Sequence, residues 1–138
     1  MRQIHTTLTI ATQGQSLNEC THEIADWLGD SGISDGLLTI FCQHTSASLL
    51  INENAAREVP GDILRWLDRT VPEGSHYAHD DEGPDDMPAH IKAMLTGNSL
   101  TIPVAAGQMM LGTWQGVFLA EHRARPHRRR IILHLLGE

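Results

Sequence analysis

Hydrophobic and polar positions alternate across residues 2–12. Ile4, Leu8 and Ile10 share one face with Thr6 between them, and this period of two predicts a strand. The pattern then changes. Ser16 and Glu19 are spaced as a capping box, and Leu17, Cys20, Ile24, Trp27 and Leu28 recur at helical intervals until Gly29. The apolar run 36–43 predicts a strand covered on both faces, and 46–53 reads as its neighbour in the sheet. Ile63, Leu64 and Leu67 form the buried stripe of a helix over 60–70, with Pro60 in its first turn. Residues 72–85 show no periodicity, and a loop this long in a compact chain points to function or disorder. A third helix spans 87–96, with Asp86 as N-cap, Gly97 as stop, and Met87, Ile91, Met94 and Leu95 as its apolar stripe. Strand-like runs at 99–104, 109–122 (with a break at Gly112) and 129–136 close the chain. Closely spaced strands with short turns favour antiparallel pairing. The expected fold is therefore α+β, a sandwich-like antiparallel core with flanking helices, in one domain over residues 1–138.

Composition narrows the function classes. No apolar run approaches the roughly 20 residues needed to span a membrane, and the N-terminus lacks a signal peptide's apolar core, so the expected compartment is the cytoplasm. Cys20 and Cys42 are far apart in apolar patterns and read as buried reduced thiols. The net charge of −7 argues against general nucleic-acid binding, although an RNA-associated role through RPHRRR is a weaker possibility. The charge is uneven. Glu73, Asp80, Asp81, Glu82, Asp85 and Asp86 crowd one loop, and Arg123, Arg125, Arg128, Arg129 and Arg130 crowd another. The arginine segment suits capture of phosphate or carboxylate, or a salt bridge to a neighbouring subunit.

Candidate chemistry rests on histidines at structural transitions. His44 ends an apolar strand and is followed by Thr45, Ser46 and Ser48. His79 lies in the acidic loop, and His90 lies on the apolar stripe of the third helix. Neutral imidazole is the commonest zinc ligand, and three protein ligands with an open position form the usual catalytic arrangement. Asn52, Glu53 and Asn54 offer a carboxylate and two amides at the far end of the next strand, either to orient an imidazole or to make a turn. In GTWQGVFLAEHR both faces are largely apolar, so Gln115 and Glu121 face the interior. A carboxylate there needs a metal, an arginine or another cation. His122 points the other way and ranks fourth as a ligand. No GxSxG elbow and no phosphate-binding glycine loop occurs.

The segments HTSASLLINENA, DDMPAHIKAMLTGNSLTIPV and LGTWQGVFLAEHR, in this order, closely resemble the YjbQ family of small proteins, some of which carry a secondary thiamine-phosphate synthase activity. The resemblance runs from the first strand to RRIILHLLGE. It implies an α+β fold with a β-sandwich core, a homotrimer, and a histidine site for a metal such as zinc. The implied site residues are His44, Asn52 to Asn54, His79, His90, Gln115 and Glu121. The expected function is a metal-dependent enzyme acting on a small phosphorylated molecule. His44, His79 and His90 would hold a divalent ion, zinc first, with magnesium an option for a diphosphate substrate. Glu121 or Glu53 would move protons, supported by Asn54 and Gln115, while Arg123, Thr45 and Asn52 would contact the anion. The alternative is a non-catalytic metal- or metabolite-binding trimer.

Overall fold

The computed structural model describes residues 1–74 and 76–138. Eight strands and three helices follow in the order β1 (Arg2–Thr12), β2 (Ser16–Glu19), α1 (Thr21–Asp30), β3 (Gly36–Cys42), β4 (Ala47–Glu53), α2 (Val59–Thr70), α3 (Asp86–Thr96), β5 (Ser99–Ala105), β6 (Gln108–Met109), β7 (Gln115–Glu121) and β8 (His127–Gly137). They form two antiparallel sheets: five strands in the order β1-β8-β3-β5-β6 and three in the order β2-β7-β4. One of the two sheets is a curled half-barrel, and the fold is α+β, as the alternation of strand and helix patterns implied. No helix among the described residues is long and apolar enough to cross a membrane.

The core fills the space between the sheets. Leu38 and Ile40 from β3, Ile131, Leu133 and Leu135 from β8, and Leu49, Val117 and Leu119 from β4 and β7 meet there, closed by Ile24 and Leu28 of α1. Each fully buried Leu or Ile contributes about 1.5–3 kcal/mol, so this period-two apolar register sets which face of each strand turns inward. Gly36 and Gly137 are paired where β3 meets β8; a Cβ on either would lie within 2.3 Å of a backbone oxygen, so only glycine fits.

Several local expectations are overturned by tertiary pairing. Residues 16–19 are not a helix start. They pair with β7, Ser16 opposite Glu121 and Leu17 opposite Ala120, and the Ser16 hydroxyl donates to Gly14 O instead of capping. β3 and β4 are not sheet neighbours, because β4 joins β7 in the second sheet. Nor is β3 covered on both faces. Leu37, Phe41 and Leu136 on the outer side of the large sheet remain 40–44% exposed, because the helices pack mainly on β2, β4, β6 and β7. The third helix is rotated from its apolar stripe. Met94 is 75% exposed, while Asp86, Pro88, Ala89 and Lys92 face inward. Polar side chains win that face because they are paired: Lys92 Nζ donates to Asp68 at 2.6 Å, and Asp86 is bonded on both oxygens.

Candidate metal centre

The rotation of α3 builds the site. Asp86 and His90 stand four residues apart, one helical turn, on the same side of α3. His79 comes to them from the preceding loop. His79 Nε2 and His90 Nε2 each lie 3.1 Å from Asp86 Oδ2, and one ligand atom from each of the three residues falls within 4.8 Å of the others. Ligand atoms bound to one ion at about 2.0–2.2 Å are separated by roughly 3–3.5 Å, so the two 3.1 Å separations from Asp86 fit a shared cation. The hydrogen-bonding pattern fits as well. His90 Nδ1 sits 2.9 Å from Thr45 O. A carbonyl only accepts, so the proton of the neutral ring is on Nδ1, and the Nε2 lone pair faces the carboxylate. In that tautomer two acceptors face each other, and a metal ion or a proton between them satisfies both. The Thr45 carbonyl plays the orienting part that outer partners play for metal-binding histidines.

The carboxylate between the imidazoles is anchored from behind. Arg123 Nη1 donates to Asp86 Oδ1 at 2.7 Å, Nε to Asp85 Oδ2 at 3.0 Å, and Nη2 to Glu82 O at 2.9 Å. Burial alone would raise the Asp85 carboxyl's pKa, but the Ala124 N–H and the Arg123 guanidinium bring it below the usual carboxylate range. Gly83, at φ +101°, turns the chain so that Asp85 can reach back, and a Cβ there would lie 3.2 Å from Asp85 Oδ1. The acidic and arginine-rich segments therefore meet within one chain, through Arg123.

The residues expected from sequence fall into two groups. His44 stands near the centre, and with Thr45, His90, Ala93, Met94 and Asn98 it lines an open cavity of about 490 Å³. Its Nε2 accepts the Arg130 N–H at 2.8 Å, so Asp86 rather than His44 sits between His79 and His90. Burial, then Arg129 and Arg130, hold the His44 pKa below its ordinary value. Glu121 is also at this end, but it is fully buried and committed elsewhere. Arg129 grips both its oxygens, Thr12 Oγ1 donates to Oε1 at 2.6 Å, and the Arg123 N–H donates to Oε2 at 3.1 Å. Burial opposes ionisation; Arg129, Thr12 and the Arg123 amide outweigh it and keep the carboxyl below the usual range. Arg123 faces acidic side chains, not a free anion site.

The second group is remote. Ala47 pairs with Glu121 at one end of the β4–β7 ladder, and Glu53 with Gln115 at the other, six residues and roughly 20 Å away. There Glu53 accepts the Ala56 N–H at 3.0 Å, Asn52 Oδ1 accepts the Glu53 N–H, Asn54 donates to Glu19, and Gln115 accepts the Gly112 N–H. These are turn-forming roles, and the structure does not bring these residues to the histidines. Asp86 is the candidate ligand that the sequence reading does not single out. Its signal was present in the i, i+4 spacing to His90, which was obscured by its expected role as an N-cap.

His122 is buried under α3, with Nε2 2.8 Å from Ser48 Oγ, which also bonds Thr96. Burial, reinforced by Lys92, lowers its pKa to about 4. An unfolded chain binds a proton here near pH 6.5 and the folded chain does not, so stability rises with pH across this window. The unfolding free energy from urea titrations should fall as pH drops from about 6.5 to about 4, by up to about 3 kcal/mol from this group. His122→Asn should flatten the slope; an unchanged slope in that variant would exclude His122 as its source.

Fold and site together define an α+β protein of two antiparallel sheets with a His–Asp–His group that could hold a metal ion. The chain belongs to the UPF0047 family: the family model described as UPF0047 protein YjbQ-like matches residues 6–138. UPF0047 protein sll1880 of Synechocystis sp. is 51% identical over 138 residues, covering 99% of this chain and 94% of that protein. UPF0047 protein YjbQ of Escherichia coli O157:H7 is 47% identical over 133 residues, covering 96% of each. A crystal structure of a yjbq/upf0047 family protein from Clostridium acetobutylicum superposes with a TM-score of 0.85 at 36% identity, covering 96% of this chain and 99% of that one. A YbjQ-like protein from Sulfolobus solfataricus P2 gives a TM-score of 0.88 at 26% identity, covering 99% and 100%. None of these names carries an activity.

Proposed function

We propose that His79, Asp86 and His90 hold a divalent ion and that the protein is a metal-dependent enzyme acting on a small phosphorylated molecule. A secondary thiamine-phosphate synthase activity is the version that the family resemblance implies. The observation that carries the reading is Asp86 Oδ2 at 3.1 Å from both imidazoles, beside an open cavity. Two imidazoles favour zinc; magnesium prefers oxygen ligands and would bind mainly through a substrate diphosphate. When bound, the ion supplies electrophilic polarisation of a phosphate oxygen or an activated water. The chain's own residues shape the rest. Thr45 O fixes the His90 ring, Arg123 fixes Asp86, and Ala93 with Met94 gives the cavity an apolar wall facing the His44 ring and the Asn98 amide. The test is mass-spectrometric profiling of phosphorylated metabolites with pure protein, metal-free and loaded with zinc or magnesium. Depletion of a phosphorylated compound only in a loaded sample supports the enzyme. Tight metal binding with no turnover of any compound favours the non-catalytic binding protein instead.

We further propose a homotrimer assembled through the outer face of the five-stranded sheet. The subunit number comes from the resemblance; the face comes from the fold. Its outward positions on β1, β8, β3 and β5 include Leu37, Phe41, Ile132, Leu136 and Pro103 beside His5, His134, Arg128 and Arg130, and no carboxylate, in a chain with 17 acidic residues. An acid-free face with the outward apolar pairs Leu37–Leu136 and Phe41–Ile132, on so acidic a chain, suits contact with identical copies. Light scattering after size exclusion should give three times the chain mass, and Phe41→Glu should reduce it. A wild-type monomer at micromolar concentration would reject the trimer.

A further inference from the structure

Arg123 is spent on its own chain in a specific way. Its three side-chain nitrogens go to three successive points of one segment: Nη2 to Glu82 O, Nε to Asp85 Oδ2 and Nη1 to Asp86 Oδ1. A planar guanidinium fixes the angle between such bonds, which an ammonium cannot do. Two consequences follow for the histidine cluster. First, the Asp86 side chain, only 3% exposed, has one oxygen taken, so Oδ2 alone faces His79 and His90. Second, the segment that Arg123 holds at Glu82 and Asp85 is the one that delivers His79, a half-exposed residue whose charged partners among the described residues are Asp81 and Asp86 and whose ring stacks on His90. The backbone of Arg123 is anchored in turn, because its N–H donates to Glu121 Oε2 in the buried pair with Arg129.

We infer that Arg123 is a positioning residue for the candidate metal centre. It restricts Asp86 to one ligating oxygen and seats the His79 loop, and it does not bind the substrate anion. The inference rests on the metal-binding reading above. Loss of the fork frees Asp86 to chelate through both oxygens and lets His79 leave. Supporting residues of this kind are worth about 10–100-fold in metal affinity.

The test compares wild type with Arg123→Lys, which keeps the charge but loses the fork, and Asp85→Asn, which weakens the bonds that Asp85 accepts from Arg123 Nε and from the Ala124 N–H while leaving Arg123 intact. Zinc affinity is read by competition with a chromophoric chelator, coordination by the visible bands of the cobalt(II) form, and the loop by limited proteolysis of metal-free protein. Arg123→Lys is expected to lose about 10–100-fold in zinc affinity, to show weaker cobalt bands as coordination number rises, and to be cut faster between residues 77 and 85. Asp85→Asn should move all three readouts in the same direction by less. Unchanged affinity and cobalt spectrum in both variants overturn the positioning role, even if cleavage accelerates. Wild-type protein that takes up neither zinc nor cobalt overturns the metal-binding reading and this inference with it.

Discussion

Glu121→Gln is expected to lower folding stability by about 3–5 kcal/mol while leaving activity per folded molecule intact. The substitution keeps the shape of the side chain and removes its charge. Arg129, itself buried, then keeps a full positive charge with no counter-ion, facing Ser46, the His44 ring and a neutral amide. That uncompensated charge is what makes breaking a buried pair expensive. For a chain of this size the melting temperature should drop by roughly 10–20 °C. A double change, Glu121→Leu with Arg129→Met, should recover much of the loss, because apolar replacements of a buried pair are often neutral or better. The pH dependence has a definite sign. The folded carboxyl titrates below its ordinary range, so the stabilisation is complete above about 4.5 and is lost as pH falls through the folded value. Stability and turnover should be measured on one preparation. Unchanged stability with turnover reduced about 10²-fold would instead make Glu121 part of the chemistry.

Asp86→Asn should abolish stoichiometric metal binding. Wild-type protein dialysed against zinc is expected to retain about one ion per chain, and the variant close to none. The amide keeps the size of the carboxylate but loses the charge that sits between two imidazoles. Removing a supporting partner already costs about 10–100-fold in affinity, so losing the ligand itself should cost at least ~10²-fold. His90→Ala should behave likewise. His44→Ala should keep most of its metal, because Nε2 of His44 is already bonded to the Arg130 amide. Elemental analysis of the three variants decides between ligand sets. Full metal in Asp86→Asn and His90→Ala would sink the centre, and metal lost only in His44→Ala would move it.

What could be read in the chain was whatever depends on neighbours in sequence. The period-two run of β1 follows from alternating apolar positions, because burial of one strand face is a local pattern, and the short apolar runs of β3, β7 and β8 mark strands in the same local way. Strand parity put Glu121 in the interior, along with its need for a cation, but it put Gln115 there too, and Gln115 is exposed because it opens the strand at the turn with Gly112. His79 and His90 stood out by position, and the structure brings both rings to one carboxylate.

Tertiary structure decided which partners those residues found. Parity could say that Glu121 needed a cation, but only the pairing of β1 with β8 and of β4 with β7 brings Arg129 and Thr12 to it and leaves Glu53 and Gln115 roughly 20 Å away. Ser16 to Glu19 had the local signature of a helix start, yet the free edge of β7 offered backbone hydrogen bonds that a four-residue segment gains by pairing. The apolar stripe of α3 pointed one way, and the paired charges of Asp86 and Lys92 turned the helix another. Hydrophobic periodicity encodes which face is buried when burial is apolar. It does not encode a face buried through ion pairs, because those partners, Asp68 and Arg123, lie 24 and 37 residues away along the chain. That is why the helix and the histidines could be read from sequence, while the carboxylate between them appeared only with the fold.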